Sequence, residues 1–343
     1  MKEFFKLSLY LNMIKLKSII LTLSFLSFLY NYSQQPVDKY GLLKVCGTNL
    51  CDIKGNKIQL AGMSTHGIQW HGWKDCLTEN SLDLLANEWN ADVVRIAMYV
   101  QEGGYQSNPE RFTKQVNDLI EEVSSRGMYA IVDWHILKPG DPNFNLKKAK
   151  EFFTKIVTKN KHRSNVIYEI CNEPNGVPWK SIKKYANKII PVIRDIDPNS
   201  LILVGTPDWS SLGVSGKNNP EDVIKNQLKF KNVMYTFHFY SKSHTNLYLR
   251  ELEKAADKIP IFVTEFGTQE YSGDGPNDFE MAQEFVDLMK RKKISWVNWN
   301  YSDNELSGAV WKNGTCARKN WNSKQLKPAG RWVRKQLVSR KKG

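Results

Sequence analysis

Eight short apolar runs of strand length recur along this chain, at residues 58–63, 93–100, 129–135, 166–171, 201–206, 233–240, 261–267 and 295–300. Longer segments separate them. Residues 111–126, 146–159, 179–196, 247–259 and 279–292 carry apolar side chains at three- and four-residue spacing, which predicts amphipathic helices. The weakest such segment is 221–228, and residues 329–339 predict a last helix. A strand that returns through a helix must lie parallel to the strand before it. Eight such units predict an α/β fold whose sheet closes on itself, a (β/α)8 TIM barrel. Ahead of it, residues 41–60 read as a short N-terminal β-hairpin turning at Gly47 and at Gly55-Asn56, which would plug the base of the barrel.

The first 33 residues read as an address. Lys2, Lys6, Lys15 and Lys17 precede an apolar run over 19–30, the length of a secretory signal's apolar region and short for a bilayer span. Residues 1–33 are therefore expected to be a signal peptide and 34–343 a single domain, secreted, monomeric and without stable membrane association. Removal of four lysines and one glutamate would bring the formal charge from +14 to +11. The lysines are scattered along helix faces, and no nucleic-acid module pattern accompanies them, so nucleic acid is not an expected partner.

Five cysteines lie beyond the leader. Spacing does not fix their connectivity. Cys46 and Cys51 flank a hairpin-like turn that could join them, which leaves Cys76 and Cys316 as a pair between two loops. Cys171, inside an apolar strand, reads as a buried free thiol. No CxxC or His-x-x-x-His spacing points to a metal, and no cofactor is expected. Asn300 and Asn313 match the glycosylation acceptor pattern, with Asn300 too close to the expected cleft to be modified readily.

In an alternating barrel, chemistry gathers at the C-terminal ends of the strands. The polar and aromatic residues at those ends are His66, Trp70, Arg95, Tyr99, His135, Asn172, Glu173, Trp209, His238, Tyr240, Glu265 and Trp299. Glu173 and Glu265 each close an apolar strand where the chain is about to turn. Two carboxylates facing each other across a cleft are the minimum equipment for breaking a glycosidic bond. Eleven tryptophans suit a mouth that stacks flat, weakly polar rings. Glu169, four residues before Glu173, is expected to make a structural ion pair.

The phrases Asn172-Glu173-Pro174, His238-Phe239-Tyr240, Thr264-Glu265-Phe266-Gly267, Arg95-Ile96-Ala97-Met98-Tyr99 and Asp133-Trp134-His135 resemble those of glycoside hydrolase family 5, a group of retaining barrel glycosidases. Within it the chain is most similar to the endo-β-1,4-glucanases, through Met63-Ser64-Thr65-His66-Gly67-Ile68-Gln69-Trp70 and Gly205-Thr206-Pro207-Asp208-Trp209-Ser210. The resemblance implies a metal-independent cellulase acting on a β-1,4-glucan by double displacement. It implies Glu173 as acid/base and Glu265 as nucleophile, the latter held by Arg95 and Tyr240. Asn172 would bind the sugar 2-hydroxyl, His238 would tune Glu173, and His135 and His66 would position substrate. Trp299, with Trp70 and Trp209, would stack on sugar rings at the donor side. One departure stands out: after the eighth strand the family pattern has a lysine where this chain has Asn304, followed by Glu305. That change bears on the grip on the second donor sugar, and so on the choice among glucan, xyloglucan, mannan and xylan. A barrel that binds glycan without cleaving it is the reading from a different class.

Overall fold

The computed structural model of the protein describes residues 34–340. The expected leader, 1–33, and the basic stub 341–343 lie outside them. Two short strands, β1 (Lys44–Cys46) and β2 (Asn49–Cys51), form the antiparallel hairpin. Eight further strands follow: β3 (Ala61–Ser64), β4 (Val93–Tyr99), β5 (Tyr129–His135), β6 (Val166–Glu169), β7 (Leu201–Val204), β8 (Val233–Tyr240), β9 (Ile261–Gly267) and β10 (Ser295–Trp299). Each pairs in parallel with its sequence neighbours, and β10 closes on β3 with Trp296 opposite Ala61. The predicted (β/α)8 barrel is thus present. Every residue of β4, β5, β8 and β9 is buried, because one face meets the helices and the other the barrel interior. This is why the strands read as continuous apolar runs.

Closure demands a close approach at one point. A Cβ on Gly62 would lie 1.7 Å from the Val93 carbonyl oxygen, so only glycine fits between β3 and β4 there. The lower interior is filled by Val93, Tyr129, Ile131, Ile167, Leu203, Met234, Phe262 and Val297, and Leu43, Leu50, Ile58 and Leu60 from the hairpin region pack on them. The hairpin therefore seals the base, as expected. Both disulfides, Cys46–Cys51 and Cys76–Cys316, are formed, and Cys171 is a buried free thiol.

Two differences from the sequence reading have local causes. The first crossover holds a helix, Glu79–Asp83, that runs on as a π-helical turn over Leu84–Glu88; one helix split between two periods leaves no clean 3.6-residue pattern. The first barrel strand begins at Ala61 rather than residue 58, since Ile58 and Leu60 belong to the plug. Asn300 is buried and its side chain accepts from Ser302, which removes it as a glycosylation acceptor, whereas Asn313 is exposed. No helix of the described residues is long and apolar enough to cross a membrane.

Candidate active site

The upper barrel is organised around one buried cation. Arg95, the third residue of β4, has no exposed surface, and its guanidinium fork reaches the neighbouring strands β3 and β5 and, across the barrel interior, β6 and β9. Nε donates to Glu169 Oε2 at 2.6 Å, Nη1 to Glu265 Oε2 at 3.1 Å and to Ser64 Oγ at 3.4 Å, and Nη2 to Asn172 Oδ1 at 2.6 Å. Asp133 Oδ2 lies 3.0 Å from Nη2. A planar, permanently charged fork is suited to holding several carboxylates at once. Glu169 makes the structural ion pair expected of it.

The two strand-end glutamates receive different partners. Glu265 Oε2 accepts from Arg95, and Oε1 accepts from the Tyr240 hydroxyl at 2.5 Å. Among the described residues no lysine or arginine pairs with Glu173; its Oε1 lies 2.9 Å from Nδ1 of His238. One oxygen of Glu173, one of Glu265 and a ring nitrogen of His238 all lie within 4.8 Å of one another. The carboxyl groups thus face each other across a short gap.

Electrostatics separates them further. Burial pushes Glu173 up to about 8, with Arg95 opposing and Asp133 and Glu169 adding to the rise. Burial holds His238 down near 4, so its imidazole is neutral. Burial and the nearby Glu173 also raise Glu265, against the pull of His238, Arg95 and His135. Two adjacent carboxyls cannot both ionise freely. Glu265, with two donors, is the one equipped to keep its charge, and Glu173, facing a neutral ring nitrogen, keeps the proton.

On one flank of the pair stands an aromatic wall. The His135 ring stacks on Tyr99 at 4.0 Å between centroids and on Trp299 at 5.5 Å. His66 lies against Trp299 and Trp70, at 5.3 and 5.5 Å, and Trp70 is 45% exposed at the rim. Asp133 accepts from His135 Nδ1 at 2.6 Å, leaving Nε2 to accept from the Asn172 amide at 3.2 Å. Asn172 is therefore fully engaged with protein, its second amide proton going to the Ile136 carbonyl.

The other flank is a cavity of about 490 Å³ lined by Glu173, Trp209, Ser215, His238, Tyr240, His244, Tyr248 and Tyr271. Trp209 belongs to this side, apart from Trp70 and Trp299. Asp208, Trp209 and Ser210 all have left-handed backbone, φ between 54° and 59°, which costs each L-residue roughly 1–2 kcal/mol. The turn is held by Trp209 N donating to the Pro174 carbonyl and Ser210 Oγ to the Asn172 carbonyl, and it leaves the indole 48% exposed. Such strain at a cleft is a mark of a functional position. The sequence does not mark Ser215, His244, Tyr248 and Tyr271 as site residues: His244 and Tyr271 sit in loops, where no periodicity marks a residue, Ser215 in a 3-10 turn over Val214–Gly216, and Tyr248 in the helix Asn246–Ala256, where its spacing reads as core.

Asn304 and Glu305 lie on the loop that follows β10. Asn304 Oδ1 accepts from Leu306 N at 3.1 Å, and the Glu305 side chain is exposed. Lys327 reaches this loop from outside: its ammonium donates to the carbonyls of Asn304, Glu305 and Leu306 at 2.6, 3.1 and 2.7 Å. Its charge fixes the loop.

Comparison with known proteins identifies the family. The family model described as Cellulase (glycosyl hydrolase family 5) matches residues 51–305. The chain is 54% identical over 305 residues to Endoglucanase E-5 of Thermobifida fusca, spanning 89% of this chain and 65% of that protein. It is 50% identical over 306 residues to Endoglucanase MaCel5A of Microbulbifer sp. (strain ALW1), spanning 89% of this chain and 60% of that protein. It thus covers less than two thirds of the length of these relatives. The crystal structure of the catalytic domain of Thermobifida fusca endoglucanase Cel5A superimposes with a TM-score of 0.88 at 54% identity, over 89% of this chain and 100% of that one. A substituted form of that domain, solved in complex with cellotetraose, matches with the same TM-score at 53% identity, over 89% of this chain and 100% of that one. The protein described here belongs to glycosyl hydrolase family 5.

Proposed function

We propose that this protein is a secreted endo-β-1,4-glucanase that cleaves internal bonds of cellulose or related glucans by double displacement with retention. The observation that carries the reading is the pair Glu173 and Glu265, with carboxyl oxygens within 4.8 Å and opposite partner sets. Retaining glycosidases hold their carboxyl groups about 5–5.5 Å apart, whereas inverting ones need about 6.5–9.5 Å to admit a water. Glu265, kept ionised by Arg95 and Tyr240, attacks the anomeric carbon. The glycosidic C–O bond breaks as Glu173 gives its proton to the departing oxygen, leaving a glycosyl ester on Glu265. In the second step Glu173, now a carboxylate, takes a proton from water as that water displaces Glu265.

The flanks take their roles from this assignment. The cavity beside Glu173 receives the leaving sugar, so Trp209 is an acceptor-side platform rather than a donor-side one. Trp299, Trp70, His66, Tyr99 and His135 form the donor side. The 2-hydroxyl contact of Asn172 requires substrate to displace His135 or the Ile136 carbonyl from its amide. Supporting the choice of polymer are the endoglucanase relatives and the cellotetraose bound to a similar domain. Two disulfides fit an oxidising compartment, in keeping with a leader over residues 1–33 and a monomeric domain after it.

Carboxymethyl cellulose hydrolysis by wild type, Glu265→Ala and Glu173→Ala tests the reading. Both variants should lose activity, and azide should restore turnover in Glu265→Ala by attacking from the vacated face. Full activity in Glu265→Ala would overturn the mechanism. Because Asn304 replaces the family's lysine, the same protein should be run on mannan, xylan and xyloglucan; activity on mannan alone would move the substrate and leave the mechanism.

A further inference from the structure

A chain of four contacts runs through the barrel interior behind the candidate pair. Arg95 Nε donates to Glu169 Oε2 at 2.6 Å, and the Thr264 hydroxyl donates to Glu169 Oε1 at 2.7 Å. Nε2 of His238 lies 2.8 Å from that hydroxyl, and Nδ1 lies 2.9 Å from Glu173 Oε1. Glu169 and Thr264 have no exposed surface and His238 has 2%. In so closed a site each proton has one place to go.

Burial raises Glu169, but the guanidinium pulls it back, and a 2.6 Å contact to a permanent cation keeps that carboxylate ionised and purely an acceptor. Thr264 has a single proton, and it goes to Glu169. The Thr264 oxygen can then only accept from His238, which puts the imidazole proton on Nε2. A neutral ring with Nε2–H has a bare lone pair on Nδ1. That lone pair meets Glu173 Oε1, which must supply the hydrogen.

We propose that Thr264 and Glu169 are positioning residues that lock His238 in its Nε2–H tautomer and so keep the resting proton on Glu173. This deepens the proposed function and rests on Glu173 being the acid. Neither residue touches substrate. The lock works in both half-reactions: once Glu173 has given its proton away, its carboxylate faces a lone pair instead of a donor, and it is driven to take a proton from water. A donor at that position would stabilise the anion and blunt it as a base. Glu169 is also joined through Arg95 to Glu265, so one buried carboxylate supports both members of the pair. The charged and titratable groups facing Glu173 and His238 from the surrounding strands are Arg95 and Tyr99 of β4, Asp133 and His135 of β5, Glu169 of β6, Tyr240 of β8 and Glu265 of β9. Thr264, itself uncharged, is the group hydrogen-bonded to Nε2 of His238, with Glu169 Oε1 4.0 Å from the same nitrogen, and this pair dictates which ring nitrogen carries hydrogen.

Nitrogen-15 NMR of the full chain reads the tautomer directly. Long-range proton–nitrogen correlations of His238 near pH 6.5 should show a protonated Nε2 and a bare Nδ1; a protonated Nδ1 would overturn the proposal. The measurement is made on wild type whether or not glucan is cleaved, so it separates this inference from the functional reading. In Thr264→Val the ring is free to move its proton to Nδ1 and stabilise ionised Glu173. The basic limb of the kcat/KM pH profile should then fall by at least one pH unit, with Thr264→Ser restoring it. A folded Thr264→Val with an unmoved basic limb refutes the lock, and if that variant does not fold the wild-type tautomer decides.

Discussion

At the scale of the residue, the molecule's chemistry depends on how one arginine divides its donors. Arg95 gives hydrogen bonds to Glu169, Glu265 and Asn172 and an ion pair to Asp133, all without exposed surface of its own. Removing one partner from a buried ion network leaves uncompensated charge at a cost of about 3–5 kcal/mol. Arg95→Met should lower the urea-unfolding free energy by that amount and abolish activity, and Arg95→Lys should also be inactive because an ammonium cannot fork. The pH profile follows from the carboxyls. In the proposed mechanism Glu173 must be protonated to act as acid, so a pKa raised to about 8 should keep activity up to that pH and lose it above. Glu265 must be ionised, so its raised pKa moves the acid limb above the ordinary glutamate range. A kcat/KM profile whose basic limb lies near pH 5 would contradict the assignment. Glu173 and Glu265 were legible in the sequence because each stands at the C-terminal end of an apolar run, Glu173 four residues beyond β6 and Glu265 within the last three residues of β9. The link through Thr264 was not: β8 and β9 shift register between Thr236 and His238, and a slip of this kind leaves no mark in the alternation of residue types.

At the scale of the element, loops after the strands decide what the pair can hold. The Cys76–Cys316 disulfide joins the loop after β3, which carries His66 and Trp70, to the loop after β10, which carries Asn304 and Glu305. Replacing both cysteines by serine should cost about 2–5 kcal/mol of stability. It should also raise KM with kcat largely retained, because the donor-side wall loosens while the pair stays in place; an unchanged KM would show that the wall does not need its fastener. Trp209, on its left-handed turn, should behave differently. Trp209→Ala forfeits roughly 1–2 kcal/mol of stacking, seen as a five- to thirty-fold loss in kcat/KM on cello-oligosaccharides long enough to cross the cleavage point. The pairing of Cys76 with Cys316 was one possibility the sequence left open once Cys46 and Cys51 are joined and Cys171 is free, but the placing of Trp209 beside Glu173 was not legible. It depends on three consecutive left-handed residues pinned by the loop after β6, a tertiary constraint that overrides local preference.

At the scale of the whole molecule, closure of the barrel brings residues from β4, β5, β6, β8, β9 and β10 to one mouth while the hairpin seals the other end. This much the sequence displayed, since eight alternations allow few other arrangements. The net charge, +14 for the full chain and +11 without residues 1–33, makes a separate prediction. It should draw an anionic glucan more strongly than a neutral one, so KM for carboxymethyl cellulose should rise with salt while KM for hydroxyethyl cellulose stays nearly flat. Equal salt responses would show that the charge plays no part in capture. A covalent intermediate on Glu265 can be trapped. Incubation with a 2-deoxy-2-fluoro-cellobioside bearing a good leaving group, followed by peptide mass spectrometry, should find one fluorinated disaccharide esterified to Glu265. A label on another residue, or turnover of the reagent to free sugar of inverted configuration, would contradict it.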